Sequence, residues 1–331
     1  MGENDCENSQ KYELVLTPVT GKLKASLLSN LKEIPSIHVG DYKFYLDYEE
    51  ITPEIQKLAE KELRETPDIT SDAISKLRCL LQEEKNLHVP INNTEWLIRF
   101  LRPCKFYPHS AFELIKRHYQ FKLKHRNVYK HLKPSNEKNI FQQNIIRLQG
   151  ERDQYGRRIM TIKLGKEWKM SEVTLDELFK GLILLSELSL LEPTTQVCGV
   201  VIIIDFDGLS FAQTRKFTPM WLKRIVDWIQ DCIPLRIKNL HIVNQPYLFN
   251  LIYNLIKPFL REKLKKRLIM HGKNHASLHQ YVKPELLTPN YGGTLNVPLI
   301  TNGNIWVEIL VRCDEEFEVI NSYGYRKKNV D

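Results

Sequence analysis

Apolar positions recur at helical spacing between residues 52 and about 130, which predicts a small all-helical unit over 51–132. Thr52-Pro53 supplies an N-cap and a proline at the first helical position. Ile55, Leu58 and Leu63 follow before Pro67 interrupts. A second helix from about Ser71 puts Ile74, Leu77, Leu80 and Leu81 on one face. A third holds Trp96, Leu97, Phe100 and Leu101, and a fourth Phe112, Leu114, Ile115, Tyr119 and Leu123. Lys133-Pro134-Ser135-Asn136 predicts a linker. Residues 1–50 show no sustained period and read as a partly disordered extension. Residues 299–331 read as a C-terminal extension.

Beyond the linker, over 139–298, the rhythm changes. Arg158 to Leu164 alternates as a strand, entered from the turn Asp153-Gln154-Tyr155-Gly156. Thr174 and Glu177 form a T-x-x-E capping box, opening a strongly apolar helix that ends near Glu192-Pro193. GVVIIIDF, Gly199 to Phe206, is an unbroken β-branched run and predicts a strand buried on both faces, as in a parallel sheet covered by helices. A helix over about Pro219 to Ile233, a strand within Leu235 to Val243 and a helix from near Tyr247 complete the series. This order predicts an α/β fold with right-handed crossovers, preceded by the small helical unit.

Charge narrows the partners. The 331 residues carry a formal net charge of +8, which favours a polyanion, either nucleic acid or an anionic membrane face. No apolar run approaches the length of a membrane span. The opening MGENDCENSQ is too polar for a secretory signal, so a cytosolic protein is expected. Met1-Gly2 begins a myristoylation-like pattern, but Cys6 stands where Ser or Thr is wanted, and it reads as a plain acidic start.

The search for catalytic motifs is negative: there is no G-x-S-x-G elbow, phosphate loop, G-x-G-x-x-G or H-E-x-x-H. Asp205 and Asp207 flank a strand end without a base, nucleophile or metal partner and read as turn caps. His271, His275 and His279 lie four apart, but Gly272-Lys273-Asn274 breaks a continuous helix and no fourth ligand completes a metal set. The six cysteines form no CxxC pair, and Cys198 reads as a small buried hydrophobe. No enzyme, metal or cofactor is predicted.

The basic residues say more. Arg261, Lys263, Lys265, Lys266 and Arg267 directly follow the helix that carries Phe249, Ile252, Ile256 and Leu260. On a continuing helix Lys263 and Arg267 share a face, and in a strand so do Arg236 and Lys238. Aromatics are not interleaved with these cations, which counts against nucleic acid. An apolar helix running into a basic cluster suits a membrane interface.

RFLRPCKFYPHSAFELIKRHYQFK (99–122), VVIIIDFDGLS (200–210), DCIPLRIKNLHIVNQPYLFN (231–250), IKPFLREKLKKR (256–267) and PNYGGTL (289–295) together resemble the CRAL-TRIO family. The likeness spans roughly residues 50–298 and is greatest to its tocopherol-transfer, retinaldehyde-binding and clavesin-type branches. It implies a lipid-binding domain, with a pocket between the sheet and a mobile helical gate. Its pocket positions fall on Phe179, Ile183 and Ser186, on Val200 and Ile204, on Ile225, Trp228, Ile229 and Ile233, and on Leu235 and Leu240. Val200 and Ile204 share a strand face. Leu235 and Leu240 have opposite parity, so a turn must intervene between them. Ser186 is a hydroxyl that can orient a ligand's polar end. Trp228 replaces a smaller aliphatic residue of the family pattern, and an indole there reshapes the cavity, which counts against tocopherol itself.

The gate corresponds to Asn244 to about Arg267. Phe249, Ile252, Tyr253, Leu255, Ile256, Phe259 and Leu260 cover too much of the helix for one packed stripe, so a second face is free to meet lipid. Pro258 should kink or end it. Arg236, Lys238, Lys263 and Arg267 match positions that hold phosphatidylinositol bisphosphate headgroups in the tocopherol carrier. The resemblance therefore implies a monomeric, non-enzymatic carrier of one small hydrophobic lipid, cytoplasmic and reversibly bound to phosphoinositide membranes, endosomal ones included. A phospholipid-exchange protein and a phosphoinositide-binding interaction module remain as alternatives.

Overall fold

A computed structural model describes residues 12–297 and 304–326. The myristoylation-like start lies outside the described residues. The first finding corrects the expected N-terminal extension: strands β1 (Glu13–Pro18), β2 (Glu33–Val39) and β3 (Tyr42–Tyr45) form an antiparallel sheet in that order. Gly40, at φ +57°, makes the tight turn that pairs Val39 with Tyr42.

The helical unit follows as α1 (Pro53–Leu63), α2 (Pro67–Glu83), α3 (Thr94–Leu101) and α4 (Pro108–Lys124). Thr52 and Asn93 cap α1 and α3 through their side chains. Pro67 opens α2 rather than merely separating two helices, since the first helical position needs no N–H donor. Leu63, Leu77, Leu97, Leu101 and Ile115 are fully buried between them. A buried ion pair, Arg102 to Glu65 at 2.6 Å, extends to Gln196 Oε1 at 2.6 Å and so fastens this unit to the next.

The larger sheet contains β4 (Ile146–Arg152), β5 (Arg158–Lys163), β6 (Val200–Asp205), β7 (Ile237–Val243) and β8 (Leu268–Gly272), in spatial order identical to chain order. β4 and β5 are antiparallel and the remaining pairs parallel. The crossovers carry α5 (Leu175–Ser189), α6 (Pro219–Asp227) and α7 (Phe249–Ile256). The capping box at Thr174 and Glu177 is formed in both directions.

When parallel strands advance steadily one way, right-handed connections must all fall on one face. Accordingly Met160, Ile162, Ile202, Leu240 and Ile242 pack toward the three helices. On the opposite face Ile159, Val201, Ile203 and Val243 are covered by Leu278, Val282, Leu287 and Tyr291 instead.

Two more helices, α8 (Asn304–Val311) and α9 (Asp314–Ser322), make the C-terminal extension part of the core. Ile305, Trp306, Ile309 and Leu310 are buried, with Trp306 edge-on to Phe44 at 6.0 Å. The Glu316 carboxylate accepts the amides of Leu28 (2.9 Å) and Ser29 (2.8 Å). The expected linker is not free: Lys133 pairs with Glu318 at 2.6 Å, and Ser135 N–H donates to Asp314. Among the described residues no helix is long and apolar enough to cross a membrane.

Candidate functional site

Between the sheet and its three helices lies a cavity of about 130 Å³ with an almost wholly apolar wall. Strands contribute Met160 and Ile162 from β5, Ile202 and Ile204 from β6, and Leu240 and Ile242 from β7. Those pairs share a face by the strand period of two. From α5 come Leu178, Leu182 and Ser186, each one turn beyond the last. Trp221, Leu222, Ile225 and Val226 of α6 add a third side, extended by Trp228 and Ile229 in the π-turn that ends the helix.

The fourth side is α7. Phe249, Ile252, Tyr253 and Ile256 form its inward stripe, with Leu260 just beyond. Its other face is open, with Leu251 45% and Leu255 38% exposed, and Tyr247 just before the helix is 86% exposed. Met220 at the start of α6 is 83% exposed, and Phe211 adds a further uncovered ring. After Ile256 the chain turns through Lys257–Phe259, as Pro258 requires, and forms only a four-residue helix, Glu262–Lys265. Gln230 holds this end, donating to Phe259 O at 3.1 Å and accepting from Arg261 N at 2.7 Å.

Four cations gather beyond that turn. Arg236 Nη2 and Lys238 Nζ both donate to Glu62 Oε2 of α1, at 2.7 and 2.9 Å. Arg267 donates to Ile237 O. Burial and then the neighbouring Arg267 lower the Lys263 pKa, and burial followed by Arg236 lowers that of Arg267. These are the effects expected of cations gathered at a partly buried surface, with Lys263 itself exposed.

A family model described as "CRAL/TRIO domain" matches residues 142–293. Clavesin-1 of Pongo abelii is 34% identical over 282 residues, covering 84% of this chain and 78% of its own. Clavesin-2 of Homo sapiens is 31% identical over 290 residues, covering 85% and 86%. The chain belongs to the CRAL-TRIO family. The solved structure of Sfh5 is a looser likeness, at TM-score 0.45 and 18% identity over 79% of this chain and 97% of that one.

Within this CRAL-TRIO pocket the carried-over positions separate. Ser186, Ile204, Ile225, Trp228, Ile229, Ile233, Leu235 and Leu240 reach the wall. Phe179 and Ile183 do not. They sit one stripe round α5, where Phe179 meets Trp228 edge-on at 5.3 Å and Phe121 at 6.2 Å. Val200 is also outside the wall. It begins β6 on the same sheet face, fully buried at the end of the strand away from the cavity lining, and Ile202 takes the place assigned to it.

Leu235 and Leu240 both face inward despite their parity because β7 begins only at Ile237. The Ile237 amide turns back to Leu235 O, and the register slips opposite Val200 and Val201. Among the expected gate residues, Leu255 points outward and Phe259 lies off the wall, half-buried. Lys263 and Arg267 do not share a helix face, since the helix stops at Lys265; the fold of the turn brings them together instead.

Sequence reasoning missed Leu178 and Leu182, whose four-residue spacing to Ser186 was the available signal, and Met160 and Ile162, which alternate. It also missed Trp221, whose indole Nε1 is buried without a partner among the described residues, and Glu62.

The histidines divide among separate contacts. His241 Nδ1 and His271 Nε2 lie 2.9 Å apart, and His279 Nε2 lies 2.9 Å from Tyr291 O. Among the described residues no three His, Cys, Asp or Glu are grouped to hold a metal.

Proposed function

We propose that this protein is a monomeric, non-enzymatic carrier. It shields one hydrophobic ligand of tocopherol, retinoid or other isoprenoid type, and exchanges it at phosphoinositide-containing membranes. The observation that carries this reading is a helix, α7, with two apolar faces. One closes an apolar cavity, and the other is bare, with the basic segment following directly after the Lys257–Phe259 turn. Ser186 and the unpartnered Trp221 Nε1–H are the polar groups suited to a ligand's single oxygen. The volume of about 130 Å³, narrowed by Trp228, favours a single-chain ligand over a two-chain phospholipid and requires the gate to yield on loading.

The test is to purify the protein from cells and identify co-purifying lipid by mass spectrometry. A single-chain isoprenoid or retinoid supports the carrier. A phospholipid turns the reading to phospholipid exchange, and an empty pocket turns it to an interaction module.

Exchange has its own prediction. In water an open gate exposes apolar surface at roughly 25 cal/mol per Å², so the closed state dominates. A bilayer receives that surface, and it shifts the population only by binding the open state better. Phosphoinositide vesicles should therefore release ligand faster than neutral vesicles, by fluorescence at fixed lipid concentration. Leu255→Asp, on the bare face, should remove most of the acceleration. Equal rates from both vesicle types would defeat the mechanism.

Reversing Lys263 and Arg267 to Glu should weaken vesicle binding. Each reversal costs about 2 kcal/mol, a lost attraction plus an added repulsion, so the pair costs several hundredfold. Ligand affinity in solution should stay nearly unchanged, because neither side chain touches the cavity. Surviving vesicle binding would reduce the cluster to solvated surface.

A further inference from the structure

Glu62 is oddly placed by local rules. It stands in the last turn of α1, where the helix dipole disfavours a carboxylate. Leu63 and Ala59, both fully buried, fix the helix that presents it. Its Oε2 is the shared acceptor of Arg236 and Lys238. Partial burial raises its pKa, but the hydrogen bonds from Lys238 and Arg236 win and lower it to about 2, so it stays ionised.

Charge around it is unbalanced. Among the described residues Lys263 and Arg267 make no ion pair, and Lys105 adds a further positive field at Lys263. Arg157 does the same at Lys238. One carboxylate thus faces a surplus of cations.

We propose that Glu62 sets the minimum charge of the headgroup this site accepts, selecting polyphosphorylated inositol lipids over singly charged ones. The inference rests on the phosphoinositide reading above. A lipid bearing one net negative charge has Lys263 and Arg267 open to it, but to reach Arg236 and Lys238 it can only exchange like for like with Glu62, leaving that carboxylate without its partners. A bisphosphate headgroup brings two phosphomonoesters of roughly −1.5 to −2 each. That charge satisfies Lys263 and Arg267 and still outweighs Glu62 for Arg236 and Lys238. The carboxylate is a resident competitor, which a polyanion displaces and which keeps a monoanion off Arg236 and Lys238.

The experiment compares wild type, Glu62→Gln and Glu62→Asp by vesicle sedimentation. One vesicle contains phosphatidylserine; the other contains phosphatidylinositol bisphosphate, matched for surface charge. Wild type should prefer the bisphosphate. Glu62→Gln should gain about fivefold for phosphatidylserine, the worth of one charge near an anionic surface, and the preference should narrow accordingly. Glu62→Asp keeps the charge and should keep the preference; loss of preference in both variants alike overturns the inference, because it marks a loosened α1 instead.

Two further outcomes separate the layers. Wild-type preference with no change in Glu62→Gln overturns the role of Glu62 and leaves the phosphoinositide site standing. No preference in wild type removes the site and the inference together. Free inositol trisphosphate should bind more weakly than bisphosphate vesicles, lacking the bilayer that Leu251 and Leu255 meet. Equal affinity would make a soluble polyanion the ligand and overturn selection of a lipid.

Discussion

Ile202→Trp should abolish uptake of the co-purifying lipid while the protein remains folded. Ile202 stands at the middle of β6 with its side chain on the cavity floor. An indole there grows into about 130 Å³ of open space rather than into packed neighbours. Overpacking costs about 1–3 kcal/mol in a filled core, and the open space should hold this substitution at the lower end. The ligand has nowhere else to lie, because Trp228 and the α7 stripe close the opposite side. Affinity should fall about a hundredfold or more, the equivalent of at least roughly 2.7 kcal/mol, in a direct titration with that lipid. Val200→Trp is the contrast: its site is fully buried outside the cavity, so it should lower stability instead of plugging the pocket. Unchanged affinity in Ile202→Trp would remove the sheet from the binding site.

The second large effect concerns stability. Arg158 and Glu192 are both fully buried and joined by two hydrogen bonds, Nη2 to Oε1 and Nε to Oε2, the latter at 3.1 Å. Glu192 also accepts from Thr195 Oγ1 at 2.5 Å and the Asp47 amide at 2.7 Å, and Arg152 lies 3.3 Å away. Burial alone would raise its pKa, yet Arg158 and Arg152 outweigh that and hold it below the usual carboxylate value. Glu192→Gln leaves a guanidinium buried without its counter-charge, and should cost about 3–5 kcal/mol in urea unfolding. Replacing both partners with apolar residues of similar volume should recover only part of the loss, because the Asp47 amide, the Thr195 hydroxyl and Arg152 lose the acceptor that Glu192 supplies.

The pH dependence has a definite sign. A folded pKa below the unfolded one means the contribution is complete above the unfolded carboxylate value and disappears as pH falls through the folded one. The variant should therefore lose part of the wild type's acid sensitivity. A loss under about 1 kcal/mol in Glu192→Gln would show that the remaining acceptors satisfy Arg158 alone.

What could be read from the chain was read where the signal is local. GVVIIIDF announces a two-face buried strand because both faces are indeed covered, and the Thr174 box starts α5 through contacts three residues apart. The first 45 residues gave no such signal. β1 is an exposed edge strand, and β2 carries Pro35 and a run of four buried positions rather than alternation. The partners of this segment, Trp306 on Phe44 and Glu316 on the Leu28 amide, are roughly 260 to 290 residues away, beyond any window of periodicity.

The site shows the same division. Strand parity places Ile204 on the wall, but whether α5 shows Leu182 or Ile183 to the ligand depends on ring packing between Phe179, Trp228 and Phe121. The four cations could be picked out one by one from the resemblance. The carboxylate that meets two of them could not, because it comes from another unit of the chain.

The joining of the first and last described segments bears on how the protein can be dissected. Residues 142–293, cut out along the family match, would lose Ile140 and Phe141 on one side and Trp306, Ile309 and Leu310 on the other, all of them core. Arg158 would lose Tyr45 O as an acceptor, and Glu192 its Asp47 amide. Such a fragment would present raw apolar surface to water and should aggregate rather than bind lipid. A minimal lipid-binding unit has to include both outer segments of the described fold, from residue 13 to residue 325, or supply them as a separate chain that docks back.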